Sequence, residues 1–337
     1  MKPDPQIAEM DETLPGETTG SRNLRIGLIP PHGENWPDRP AAGWAEILNF
    51  AIAAESAGFD GIWPADEFFR TTGRIDVAVD EADDPAMQET YPAAFWDSWT
   101  LLAGLAARTS RIEIGTLITS NTYRNPAHLV KILETVDEIS GGRVVAGLGP
   151  GGDPAEGRMF GYEWEQPVSR FEDALPIIAG LLREGNATHH GPFYQVDGCL
   201  NRPRGPRPGR IPILIATFAA RPRMSRLAVQ WADIWEHSIA FTEDQPTEAR
   251  RRAELTRRTC EQFGRDPATL EMALSISVAV RDRTIPGANP LVGDPSAITA
   301  AINDFRELGF TRIQVLLTPP TVDGVEAFAP VLELLDR

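Results

Sequence analysis

Residues 111–152 read RIEIGTLITSNTYRNPAHLVKILETVDEISGGRVVAGLGPGG, and this stretch decides the fold. Residues 111–117 form a short apolar strand. Residues 126–139 have the spacing of an amphipathic helix and open with a proline, which suits a first helical turn. A Gly-Gly turn leads into a second apolar strand at 143–148 and then a glycine-rich loop. Strand, helix and strand make a βαβ unit. Small residues follow both strands, where a flat ring could lie close to the backbone.

The same alternation continues on both sides. Strands are expected at 24–30, 59–66, 211–216, 232–237, 270–279 and 311–317. Helices are expected at 43–58, 95–108, 167–184, 221–231, 243–263, 295–308 and 322–335. Eight strands, each followed by a helix, predict a (β/α)8 TIM barrel in one domain spanning 24–337. Residues 1–23, acidic and rich in Pro, Gly and Thr, are expected to be a flexible tail. A doubly wound open sheet is the alternative, weakened because no GxGxxG follows the first strand. Two connections, 67–94 and 185–210, are too long for plain turns. The first follows a strand and is therefore an insertion at the C-terminal face, where long loops cover active sites. The second is expected to form a small hairpin or cap bordering the same pocket. Surface decoration is the competing reading of both.

The chain has 337 residues, 42% hydrophobic and 24% charged, enough for a barrel-sized core. Its formal net charge of −16 argues against nucleic acid or an anionic membrane as partner. Any phosphate must then be held by local N–H groups and a few basic side chains. Cys199 and Cys260 lack metal-ligand spacing, so neither a disulfide framework nor a metal site is expected. With no apolar run of membrane length and no signal-peptide pattern, a cytoplasmic location is expected.

Several segments, in order, resemble the bacterial-luciferase-like flavin and deazaflavin oxidoreductases: AESAGFDGIWPADEFF, TSRIEIGT with NTYRNPAHLVKILETVDEISGGRVVAGLGPGG, RFEDALPIIAGLL, HHGPFYQV, and RIPILIATFAARPRMSRLAVQWADIWE. The resemblance covers about 24–318. It implies a TIM barrel whose C-terminal mouth holds coenzyme F420 or FMN, a small-molecule substrate, and a homodimer. The DEFF, TYRNP and HHGPFY segments look more like the deazaflavin branch, which transfers a hydride to or from a small organic substrate. The FMN alternative is a monooxygenase that uses O2 and a partner flavin reductase. A carboxylate-based barrel hydrolase, built on Asp66 and Glu67 with Glu236 as the only further acid at a neighbouring strand end, is a third reading.

The resemblance also assigns candidate residues. Asp66 matches the family's cofactor-contacting acid, and Glu67 stands where the family has a proton-transferring His. A carboxyl in an apolar pocket can exchange protons, so Glu67 is the first acid–base candidate. His32 and His237, each following a strand, are further proton-donor candidates. His189 and His190 lie in the second excursion, away from the chemistry. In the family, the segment matching Leu117, Ile118, Thr119 and Ser120 lies behind the ring as a bulge, often with a non-proline cis peptide. Gly149, Gly151 and Gly152 offer bare backbone to the ligand. Ala216, Thr217, Phe218, Ala219, Ala220 and Arg221 match the helix start that takes the cofactor phosphate, where N–H groups and the helix dipole favour an anion, with help from Arg223. Aromatic residues Trp36, Phe68, Phe69 and Trp96 are candidate substrate contacts.

Overall fold

The computed structural model describes residues 22–34, 40–70, 93–151, 153–207, 209, 211–218, 221–239, 242–281 and 289–337. Eight parallel strands close on themselves: β1 Arg25–Leu28, β2 Gly61–Ile62, β3 Glu113–Gly115, β4 Val144–Gly149, β5 Ile213–Thr217, β6 Ile234–Ser238, β7 Glu271–Ala279 and β8 Phe310–Thr318. Each pairs with the next, and β8 returns to β1. Closure rules out the open sheet and confirms the expected (β/α)8 barrel.

Helices follow the strands: α1 Trp44–Ala57, α2 Ser98–Ala106, α3 Pro126–Ser140, α4 Pro154–Phe160 and α5 Pro167–Ala179, then α6 Pro222–Trp231, α7 Gln245–Phe263, α8 Pro295–Glu307 and α9 Val322–Leu335. Six start at a side-chain cap: Asp97, Asn125, Asp153, Asp244, Asp294 and Thr321 each accept from a first-turn N–H. Short polar residues before these helices therefore fix where the chain turns from loop to helix.

Strand alternation sorts residues between two cores. Ile26, Leu28, Trp235, Ile313 and Val315 face the helices. Trp63, Val145, Leu214, Ala216, Ile234 and Ala273 face the barrel interior. Trp63 fills the middle: a Cβ at Gly27, Gly61 or Gly115 would lie 2.3–2.4 Å from its ring. The three glycines on β1, β2 and β3 thus make room for one indole, which blocks the interior below the mouth. At the base, Arg312 donates to Glu113 and Glu271, both at 2.7 Å, and Arg25 also pairs with Glu113. Arg22, just before β1, is tied to the barrel. Its guanidinium donates to Asp60 and Asp336 at 2.6 Å each.

The first long connection lies largely outside the described residues; its ends, Phe69–Arg70 and Ala93–Ala94, pair antiparallel on the C-terminal side. The second forms the expected hairpin, Asn186–His190 with Gln195–Leu200. Asp173 on α5 holds its turn by accepting from His189 Nε2 at 2.8 Å and from the N–H groups of Phe193 and Tyr194. That turn reaches the mouth, where Asn121 Nδ2 donates to the Tyr194 hydroxyl at 3.1 Å.

Candidate active site

The segment after β3 is laid across the end of β4. Thr119 and Ser120 pair with Leu148 and Gly149, and the Leu117–Ile118 peptide is cis, within the span where the resemblance placed one. Leu117 and Ile118 are half-buried and rest on the interior apolar cluster, so they form an apolar platform at the C-terminal mouth. The glycines of β4 are what let the segment lie there. A Cβ on Gly147 would sit 1.9 Å from the Thr116 carbonyl oxygen, and one on Gly149 would sit 1.7 Å from Ile118 Cδ1. Gly151 has φ +80°, and its Cβ would meet Ser120 Oγ at 2.2 Å. These glycines therefore seat the platform. Gly152 lies outside the described residues.

Asp66 fixes the platform from the other side. Ser98 Oγ donates to it at 2.5 Å, Ser120 N–H at 3.2 Å, and Arg124 donates to both carboxylate oxygens at 2.5 and 3.2 Å. Arg124 also donates to Asp97 at 2.9 Å. Burial pushes the Asp66 carboxyl up against the pull of Arg124, and Asp66 and Asp97 push Arg124 up against burial. With four donors on its two oxygens, Asp66 is an anchor for the loop. Thr119 is likewise buried behind the platform, bonded to Thr116 Oγ1 at 2.6 Å and accepting from Trp99 Nε1 at 3.0 Å.

An aromatic wall borders this platform. Phe68 stacks on Tyr123 with centroids 4.7 Å apart and touches Phe160 and Tyr162. Glu156 on α4 clamps it, accepting from the N–H of Phe68 at 2.5 Å and of Phe69 at 2.9 Å, and from the Tyr123 hydroxyl. Burial pushes the Glu156 carboxyl up, opposed by those three donors.

A model of the luciferase-like monooxygenase family matches residues 26–285, most of the barrel. The chain belongs to the luciferase-like monooxygenase family. Among curated relatives, it is 32% identical over 191 residues to a phthiodiolone/phenolphthiodiolone dimycocerosates ketoreductase of Mycobacterium sp. JLS, covering 55% of this chain and 48% of that one. It is 26% identical over 228 residues to a 5,10-methylenetetrahydromethanopterin reductase of Methanolobus tindarius, covering 68% of this chain and 59% of the relative. The chain thus spans about half to two thirds of the length of such relatives. Among solved structures, an F420-dependent secondary alcohol dehydrogenase with an F420-acetone adduct superposes with TM-score 0.73 at 18% identity, covering 93% of this chain and 99% of that one. A riboflavin lyase with modified FMN superposes with TM-score 0.72 at 14% identity, covering 92% and 91%. Solved structures that share this fold therefore carry either cofactor type.

In this luciferase-like barrel the expected site residues are sorted unevenly. Glu67 reaches the rim, one-third exposed and paired with Arg70. His32 is buried with both ring nitrogens on carbonyl oxygens, Pro30 at 2.9 Å and Ala65 at 3.0 Å, so it ties the ends of β1 and β2 together. Burial lowers its pKa against those two carbonyls. His237 is not at the mouth. It faces α7, fully buried, with Nε2 on Thr256 Oγ1 at 2.8 Å and its ring against Trp235. Thr217 also points outward, accepting from Trp235 Nε1 at 2.9 Å. Ala216 faces the interior, and Phe218 is exposed beyond it. Arg221 precedes α6, which has no side-chain cap, and Arg223 turns away to donate to Glu172 at 2.5 and 2.8 Å. Trp96 is exposed and donates to the Ala42 carbonyl at 2.9 Å. Trp36, Ala219 and Ala220 lie outside the described residues.

Residues missed by sequence reasoning are Tyr123, Arg124 and Glu156, whose polar loop and helix gave no periodic signal. The weight of Glu236 was missed as well. It occupies the interior face of β6, where Ser275 Oγ donates to Oε1 at 2.6 Å and Oε2 lacks a hydrogen-bond partner. Burial pushes its carboxyl up to about 7. Among the described residues no group of three or more His, Cys, Asp or Glu could hold a metal, and no helix is long and apolar enough to cross a membrane.

Proposed function

We propose that this protein is an F420-dependent oxidoreductase that transfers a hydride between the deazaflavin and a small carbonyl or alcohol substrate. The carrying observation is the platform: two half-buried apolar side chains, Leu117 and Ile118, presented at the open end of a barrel whose interior is blocked below by Trp63. A flat, largely apolar ring fits such a surface. The residues present suit the group. Leu117, Ile118 and Ala216 would back the ring, the aromatic wall at Phe68 and Tyr123 would border it, and the uncapped start of α6 at Arg221 would receive an anionic tail. The reductase and ketoreductase names of the curated relatives support hydride transfer over monooxygenation, and the F420-acetone adduct in a superposed alcohol dehydrogenase supports the deazaflavin as its carrier.

When bound, the deazaflavin supplies two-electron hydride chemistry. The chain's own contribution is position: Asp66 and Arg124 hold the platform segment, the β4 glycines seat it, and Glu156 holds the wall. FMN-dependent monooxygenation, with a reductase partner, is the second reading, because the same fold carries FMN in a superposed structure. A fluorescence titration with each cofactor tests the choice. Saturable F420 binding with weak or no FMN binding is expected; tight FMN binding and none of F420 overturns it. The homodimer and the cytoplasmic location belong to the same reading, and sedimentation of the purified protein checks the first.

A further inference from the structure

Glu236 is a charged residue type in a layer that barrels usually fill with branched apolar side chains. The interior-facing neighbours of its strand and the next are Ile234 and Ala273. It is fully buried, and one of its two carboxyl oxygens has no partner. Two more orphaned polar atoms face the same interior, Trp63 Nε1 and Gln314 Oε1, both near the empty Cβ position of Gly27. Above Glu236, Ser275 and Ser238 pair in register on β7 and β6 and are partly exposed on the interior-facing side of those strands. Two partly exposed hydroxyls therefore stand one step beyond the buried acid toward the C-terminal end of the barrel, and one of them, Ser275, is bonded to it. Glu67, by contrast, sits on the rim in an ion pair.

We infer that Glu236 is the proton source of this site, acting on the substrate oxygen through Ser275. The inference rests on the hydride-transfer reading above and names the group that completes it. In the reducing direction a hydride from the reduced deazaflavin adds to the substrate carbonyl carbon, and the C=O π pair moves to oxygen. With Glu236 protonated, the Ser275 hydroxyl turns from donor to acceptor; its own proton passes to that oxygen, and it takes the Glu236 proton in return. The alcohol leaves, the deazaflavin, oxidised by two electrons, would release its ring N–H proton to solvent, and the Glu236 carboxylate takes one proton back from solvent through the mouth. The other charged groups around Glu236 are the base cluster Arg25, Glu113, Glu271 and Arg312 inside the barrel, and His237, Arg252 and Glu248 behind its strand. β5 and β7 present only Ala216, Ala273 and Ser275 to it.

The test uses the full chain and two readouts. In the ligand-free protein, infrared difference spectra should show a protonated-carboxyl band that titrates near neutral pH and is missing in Glu236→Gln. In the F420-loaded enzyme reducing a small ketone, Glu236→Gln should lower kcat at least tenfold with KM little changed and remove the alkaline limb of the kcat profile. Ser275→Ala should lower kcat while keeping the infrared band. Wild-type kcat and pH limb in folded Glu236→Gln, or loss of the limb in Glu67→Gln instead, overturns the inference alone. A wild type inactive with F420 overturns the functional reading and the proton assignment together.

Discussion

Seating of the platform on β4 predicts a selective rescue. Gly149→Ala places a methyl 1.7 Å from Ile118 Cδ1, where ordinary contact begins at 3.4 Å, so Ile118 must withdraw by nearly 2 Å. Overpacking of this kind costs about 1–3 kcal/mol. The clashing atom is the far end of a side chain, and Ile118→Val deletes it, leaving Cγ1 at 3.0 Å as the nearest contact. Ile118→Val alone costs about 0.5–1.5 kcal/mol. The double variant should therefore be more stable than the two penalties added together, with a coupling of about 1–2 kcal/mol. Gly147→Ala is the control. Its methyl meets the Thr116 carbonyl oxygen at 1.9 Å, and backbone cannot rotate away. Its cost should lie at or above the top of the same range and be untouched by Ile118→Val. Urea unfolding at constant m gives all four corners of each cycle, and F420 titration reports whether the platform moved. An identical Gly149→Ala penalty in both backgrounds would refute the close approach of β3's extension to β4.

Three further outcomes follow from the electrostatics. Glu236 is raised from 4.5 to about 7, so its folded state prefers the proton. That stability is complete below pH 4.5, is lost as pH rises toward 7, and amounts to about 3 kcal/mol; Glu236→Gln should flatten this slope in unfolding curves taken across the range. His237 is lowered from 6.5 to about 3 by burial, so its contribution is complete above 6.5 and is lost as pH falls toward 3. His237→Asn should soften acid unfolding yet leave turnover per folded molecule unchanged; a large loss of kcat in folded protein would put His237 back in the chemistry. Asp66→Ala leaves Arg124 with Asp97 as its remaining carboxylate partner, so it should cost no more than the lower end of the about 3–5 kcal/mol of a broken buried pair by chemical denaturation, with F420 binding weakened because Ser120 loses its anchor.

The fold was legible because each strand–helix step carries its own signal. Apolar runs of strand length alternate with periodic helices, and Asp, Asn or Thr precedes most of them. The platform was legible only through resemblance: nothing local in GTLITSNT marks where the segment crosses β4. The seating role of Gly149 and Gly151 is not legible locally, because bare backbone suits a ligand and a neighbouring chain segment equally well. Pairing across the barrel decides between those, and pairing is a long-range fact. Arg124 was passed over for the same reason, since its partner Asp66 lies 58 residues away.

The outward placement of His237 is legible in the sequence itself. In IWEHS, a period of two puts Glu236 and His237 on opposite faces whatever the barrel does. A choice between them needed only the side on which Trp235 lies. An indole that large packs between strand and helices more readily than in a barrel centre already holding Trp63, which sends Trp235 and His237 outward and Glu236 inward. An acid enclosed in that way cannot be there for solubility, and one of its oxygens has no hydrogen-bond partner to offset its burial. Its burial is a standing cost at neutral pH. A site that needs a proton beneath its mouth is the physical circumstance in which such a cost is kept.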